Sequence, residues 1–249
     1  MKDEIVQRLL DNLFSELESG DHLSIAFQGG EPTMAGLRYF KHFVEVAKSY
    51  QENKRVIIDY ALQTNGTLIT EEWCEFLKEN NFLVGLSIDG PARYHDLYRK
   101  DTKNQGTFKR VLKTKSLLEK HQIEFNILCV LTSQLARHPY KVFQFILENN
   151  IHYIQFIPCL DELESEKRSV YALTPELFAE FYRETAHLWL YELEKGNYIS
   201  IKLFDDLINL FVKKQVTACG LAGYCLFQCV IEADDSVYPC DFYCLDQYK

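Results

Sequence analysis

The sequence has no apolar run of about 18 residues, which excludes an ordinary membrane-spanning helix. It is also short of positive charge. Lys and Arg total 27 against 36 Asp and Glu, for a net charge of -9. That argues against a nucleic-acid surface, because phosphate contacts need clustered Lys and Arg. The opening stretch, MKDEIVQRLLDNLFSELESG, is acidic and amphipathic. It lacks the basic start, apolar middle and cleavage site of a signal peptide, so a cytoplasmic protein is expected. There is no low-complexity segment and no repeat beyond a β-α alternation. The 7 histidines form no ligand pattern, and His95 and His138 read as surface or helix-start residues.

What is present is ordinary for a globular enzyme. The chain has 249 residues, 47% of them hydrophobic and 25% charged, enough for one large domain or one domain plus part of another. It carries 8 cysteines, five of them between Cys219 and Cys244. In a reducing compartment such a cluster is more often metal-binding or catalytic than disulfide-bonded. Cys74 and Cys129 sit in apolar patterns and read as small buried hydrophobes.

Five strand-like runs stand out: LSIAF (23–27), VIIDYAL (56–62), FLVGLSI (82–88), IEFNILCVLT (123–132) and YIQFI (153–157). Amphipathic segments near 37–50, 71–80, 107–120 and 139–148 separate them. The alternation predicts an α/β fold with a parallel sheet and crossover helices. The near-continuous apolar runs predict strands buried on both faces, with functional loops at their C-terminal ends. Four strand ends carry turn chemistry: QGGEP, QTNG, DGP and PCLD. Each alone is an ordinary turn; four in succession favour one shared rim. In the first, Gly29 and Gly30 free the backbone to turn sharply or approach a ligand, and Glu31 places a carboxylate at the mouth. Beyond 160, segments 174–195 and 200–216 read as helices, with Thr174–Pro175 as an N-cap and first-turn pair. VIEADDSVYP reads as a hairpin with Asp234 and Asp235 in its turn.

AFQGGEPT, LQTNGTLI, FLVGLSIDGP, FNILCV and DSVYPCDFY, in that order and with a late Cys-x5-Cys-x14-Cys-Asp, resemble a radical S-adenosylmethionine (SAM) enzyme with a SPASM-type extension. The likeness is closest to the anaerobic sulfatase-maturating enzymes and runs over essentially the whole chain. It implies a partial (β/α)6 barrel over 1–160, a helical connection over 161–217 and the start of a cysteine-rich extension over 218–249. It implies that Glu31, Gly29 and Gly30 hold the amino-acid end of SAM, and that Ser87 and Arg99 grip its carboxylate and ribose region. Arg99 suits a carboxylate, and as a buried cation it would need an anionic partner. Leu160 is implied as an adenine contact, and Gln28 and Gln63 as substrate-facing residues. Cys219, Cys225 and Cys240 are implied as ligands of an auxiliary [4Fe-4S] cluster. Asp241 is implied as the base that takes a proton from the substrate. The substrate implied is an unfolded or peptide-like sulfatase, whose Cys or Ser becomes Cα-formylglycine, with flavodoxin or ferredoxin as electron donor.

The sequence departs from the family in three ways. It has no Cys-x3-Cys-x2-Cys, the motif that binds the SAM-reducing cluster. Asp235 stands where the family commonly has Gly, a change tolerable in a turn because Asp visits the left-handed region. Cys229 and Cys244 match no family position. The chain therefore reads as the middle of an enzyme, lacking the first strand with its cysteine loop and the later auxiliary-cluster ligands. As written it is expected not to perform radical chemistry, and the edge of LSIAF is expected to be open. The alternatives are another SPASM-type peptide-modifying enzyme and a cluster-free scaffold that keeps the peptide groove.

Overall fold

The computed structural model describes residues 3–161, 167–215, 218–219, 221, 223–225 and 228–248. Helix α1 (Asp3–Glu16) precedes strand β1 (His22–Phe27). Then come α2 (Leu37–Lys54), β2 (Ile57–Thr64), α3 (Glu71–Glu79), β3 (Leu83–Ser87), α4 (Ala92–Tyr98) and α5 (Phe108–Lys120). These are followed by β4 (Phe125–Leu131), α6 (Ser133–Ala136), α7 (Pro139–Glu148) and β5 (Tyr153–Pro158). Helix α8 (Pro175–Glu194), β6 (Ser200–Ile201) and α9 (Lys202–Lys213) lead to the hairpin of β7 (Val230–Ile231) and β8 (Val237–Tyr238).

The helices form where the apolar spacing requires them. Val6, Leu10 and Phe14 of α1 are buried at every fourth position, and Phe40, Phe43, Val44 and Ala47 of α2 follow the same stripe. Thr70, Thr132 and Thr174 cap α3, α6 and α8 by accepting the backbone N–H groups of Trp73, Leu135 and Leu177. Each cap satisfies an N–H that the first helical turn leaves without a partner.

The six main strands are parallel and lie in the order β1-β2-β3-β4-β5-β6. Because the order never reverses, every right-handed crossover falls on the same side of the sheet. The helices therefore cover one face only. Phe27, Leu62, Val84, Leu86, Ile127, Cys129, Ile154 and Phe156 share that face by register and pack into one core. The other face presents Ser24, Ala26, Asp59, Ala61, Gln63, Gly85, Ser87, Asn126 and Gln155. On β1 and β2 the pattern is half-exposed alternation. The expectation of strands buried on both faces holds for β3 and part of β4, where Gly85, Ser87 and Leu128 of the helix-free face are buried, and is corrected for β1 and β2, whose helix-free face stays half-exposed because no helical layer covers it.

Two further elements differ from the sequence reading. Residues 200–201, expected to begin a helix, form β6 beside β5, with Ser200 opposite Tyr153. Helices α4 and α6 are too short to produce a periodic signal. Among the described residues no strand pairs with the outer edge of β1, as expected for LSIAF. Asp235 takes φ +74° in the hairpin turn, also as expected, and its carboxylate pairs with Arg8 of α1. Among the described residues no helix is long and apolar enough to cross a membrane.

Candidate functional site

The carboxyl ends of the strands carry the polar constellations. After β1 the chain turns through Gly29 and Gly30, at φ +86° and +54°, with open space where side chains would project. Glu31 then caps a short 3-10 turn, Pro32–Ala35. Its Oε1 accepts the Thr33 N–H (3.1 Å), the Thr33 hydroxyl (2.5 Å) and the Thr64 hydroxyl (2.7 Å), and its Oε2 accepts the Asn65 N–H (2.7 Å). The carboxylate ties the end of β1 to the end of β2. Oε1 is saturated, whereas Oε2 keeps acceptor capacity. Behind it the Thr114 hydroxyl donates to the Gly66 carbonyl at 2.6 Å, and Gly66 sits at φ +73°. A Cβ there would lie 2.5 Å from Leu86 Cδ1. Only glycine meets both demands without strain.

The second constellation follows β3. Asp89, buried at the strand end, accepts the Arg99 Nε–H (2.5 Å) and Nη2–H (3.2 Å) and the Val130 backbone N–H (2.8 Å). Arg99 is half-buried just past α4. Asp89 is the anionic partner its position requires, and the remaining guanidinium N–H groups stay available. His95 is fully buried, which corrects its reading as a surface residue. The run of α4 turns it inward, and α4 was not expected. The Asp89 backbone N–H donates to His95 Nδ1 (3.2 Å), and His95 Nε2 lies 3.0 Å from Thr107 Oγ1. Nδ1 is thus the acceptor and Nε2 carries the hydrogen. Thr107 then donates its hydroxyl to the Arg99 carbonyl at 3.1 Å. His138, by contrast, is a helix-start residue as expected, at the N-cap of α7.

Burial, opposed by the Asp89 charge, pushes the His95 pKa down to about 4. The folded pKa therefore lies below the unfolded value. Between the two, the unfolded chain binds the extra proton, so stability is complete above about pH 6.5 and falls as pH drops towards about 4. The limit of this contribution is about 3 kcal/mol. The expected result is a lower urea midpoint at pH 5 than at pH 7, with a smaller difference in His95→Gln. The charges of Asp89, Asp96 and Arg99 act on the same ring, and a pH dependence unchanged in His95→Gln would overturn its assignment to His95.

Ser87 ends β3 buried on the polar face, and its hydroxyl makes no hydrogen bond among the described residues. Gln28 is exposed and Gln63 half-buried on that face. Leu160, 58% exposed beyond β5, borders a cavity of about 520 Å³ with Pro158, Arg168, Leu173 and Phe178. A cavity of about 550 Å³ lies at the opposite end of the sheet, against Leu83, Phe125 and Tyr153, the first residues of their strands. Its lining includes Glu119, Glu124 and Lys202. Asp241 opens a 3-10 turn and receives the Cys240 thiol hydrogen at 3.1 Å. Cys219, Cys225 and Cys229 are exposed and Cys240 and Cys244 half-buried, all five as free thiols. Among the described residues no three Cys, His, Asp or Glu side chains are gathered as metal ligands. Cys74 and Cys129 are fully buried, as expected, and burial pushes their thiols up, that of Cys74 to about 11. They are core residues.

A one-sided parallel β/α sheet with Glu31 after β1 and the Asp89–Arg99 pair after β3 is the architecture of a barrel enzyme with its working face at the carboxyl rim. The model of the Radical SAM superfamily matches residues 2–146. The cysteine-type anaerobic sulfatase-maturating enzyme of Clostridium perfringens is 43% identical over all of this chain, which spans 67% of that relative. The serine-type enzyme of Bacteroides thetaiotaomicron is 32% identical, again over all of this chain, which spans 63% of it. A structure of native anSMEcpe with bound AdoMet and Kp18Cys peptide superposes over the whole chain with a TM-score of 0.94 and 43% identity, and the chain covers 68% of it. The chain belongs to the radical SAM superfamily and, within it, to the anaerobic sulfatase-maturating enzymes.

The family's cofactors are SAM and [4Fe-4S] clusters. The residues present suit the amino-acid end of SAM: Glu31 keeps one open oxygen, Arg99 keeps N–H donors, and the Ser87 hydroxyl has no partner among the described residues. Among the described residues the thiols are not gathered as a ligand set. Asp89, His95 and Thr107 are site residues the sequence reading missed. Asp89 stood in plain view within SIDGP but read as half of a turn dipeptide.

Proposed function

We propose that this chain forms most of the SAM-binding barrel of an anaerobic sulfatase maturase, which oxidises a sulfatase Cys or Ser to Cα-formylglycine. The observation that carries this reading is the full-chain likeness, 43% identical with a TM-score of 0.94, to an enzyme whose structure holds AdoMet and a peptide. Cysteine is the favoured substrate residue, since two cysteine-type relatives are 43% and 38% identical and the serine-type relative 32%. Residues 1–160 form the core, 161–217 the helical connection and 218–249 the start of the auxiliary-cluster region.

When bound, SAM supplies the radical that removes a hydrogen from Cβ of the substrate residue. Glu31 Oε2 would receive the ammonium of SAM, with the Gly29–Gly30 backbone alongside. Arg99 and Ser87 would hold the carboxylate and ribose region, and Leu160 would lie against the adenine. Gln28 and Gln63 face the peptide from the polar side of the sheet. Asp241 takes the thiol or hydroxyl proton, and its exposed position leaves it open to a substrate. Cys219, Cys225 and Cys240 become cluster ligands in the complete enzyme. The net charge of -9 weighs against a nucleic-acid partner, and the electron donor would be a small redox protein such as flavodoxin or ferredoxin, in the cytoplasm.

The test is to join this chain to the parts of the C. perfringens enzyme outside the aligned region. The chimera is then assayed anaerobically with SAM, a reductant and a cysteine-containing sulfatase peptide. An aldehyde detected by hydrazide labelling and mass spectrometry is the expected result, with loss of product in Asp241→Asn. SAM cleavage without any aldehyde would favour a different peptide modification.

A further inference from the structure

We propose that Asp89 is a positioning residue that aims the Arg99 guanidinium at the carboxylate of SAM, with His95 and Thr107 fixing the Arg99 main chain behind it. The inference rests on the reading of Arg99 as the carboxylate ligand.

The geometry supports this division of labour. An arginine at the end of a short helix has many rotamers, and ordering them on binding costs conformational entropy. Asp89 removes much of that cost beforehand. It takes the Nε edge of the guanidinium in a two-point pair and is itself held by the Val130 N–H of β4. One edge of the fork is occupied, and the Nη1 end is left for a ligand. The backbone is held equally firmly. The Arg99 N–H donates to the His95 carbonyl at 2.9 Å, and the Arg99 carbonyl accepts both the Thr107 N–H (3.2 Å) and its hydroxyl (3.1 Å). His95 closes the loop by accepting the Asp89 N–H and contacting Thr107. Asp96, beside them, takes the Phe108 N–H at 2.9 Å and leaves no room for a Cβ on Gly106. The α4–α5 connection is thereby fixed around Arg99. Asp89, His95 and Thr107 are all buried, so their effect on a ligand passes through Arg99.

The test compares binding of SAM and of decarboxylated SAM, which lacks the carboxylate, to the full chain by ligand-observed NMR titration. Asn at position 89 keeps a carbonyl oxygen for the Val130 N–H and loses the charge facing Arg99. The expected result for Asp89→Asn is about tenfold weaker SAM binding with decarboxylated SAM little changed. Arg99→Gln is expected to show the same selective loss, and the double variant to bind no worse than Arg99→Gln. Thr107→Val gives the same pattern at smaller amplitude and serves if Asp89→Asn does not fold. Equal weakening of both ligands in Asp89→Asn, or no weakening of either, overturns the positioning role. If Arg99→Gln itself fails to discriminate the two ligands, the reading of Arg99 falls, and the inference with it.

Discussion

Glu31→Ala is expected to lower stability by about 2–3 kcal/mol and to abolish SAM binding. The two losses have separate origins. The stability loss comes from four donors that meet one carboxylate: the Thr33 N–H and hydroxyl, the Thr64 hydroxyl and the Asn65 N–H. Alanine leaves all four without that acceptor at the junction of β1 and β2. In a chain of this size the loss shifts the melting temperature by about 5–10 °C. The binding loss comes from the open acceptor on Oε2. Thr64→Val separates the two. It removes one donor to Oε1 and leaves the charge, so it should cost stability with SAM affinity largely kept. Equal binding by Glu31→Ala and the parent chain would make Glu31 a purely structural brace.

Gly66→Ala is expected to destabilise by about 2–4 kcal/mol, read as a lower urea midpoint with unchanged slope. Two costs add. Alanine at φ +73° carries the left-handed penalty of about 1–2 kcal/mol. Its Cβ would also lie 2.5 Å from Leu86 Cδ1 and 3.3 Å from Thr114 Cγ2. Leu86 is fully buried and cannot swing away cheaply. By comparison, alanine at Gly29 meets open space and carries the backbone penalty alone. A Gly66→Ala effect no larger than that of Gly29→Ala would contradict the packing argument.

The sequence made the parallel sheet legible because β-branched runs and helical periods alternate without ambiguity. LSIAF, FLVGLSI and YIQFI fall on β1, β3 and β5 within a residue or so. It could not show that β1 and β2 leave one face half-exposed. That follows from the strand order, a long-range property: Ile25 and Ser24 differ in exposure only because every crossover lands on one side. Strand β6 was missed because two residues, Ser200 and Ile201, are too few to show a period. At the site, QGGEP and QTNG pointed to the rim, yet the bond that joins them, Glu31 to Thr64 and Asn65, spans separate strand ends. The same holds for Asp89. Its partners Arg99 and Val130 lie ten and 41 residues away, beyond what local spacing reveals. Cys74 and Cys129 were legible because a thiol within an apolar period needs no partner to explain it.

The central claim is that the working surface is the carboxyl rim between β1 and β3. Amide hydrogen exchange with and without saturating SAM tests it directly. The account predicts slowed exchange at Gly30, Asn65, Gly66, Asp89 and Arg99. Slowed exchange confined to the opposite end of the sheet, around Leu83, Phe125 and Tyr153, or no change at saturation, would contradict it.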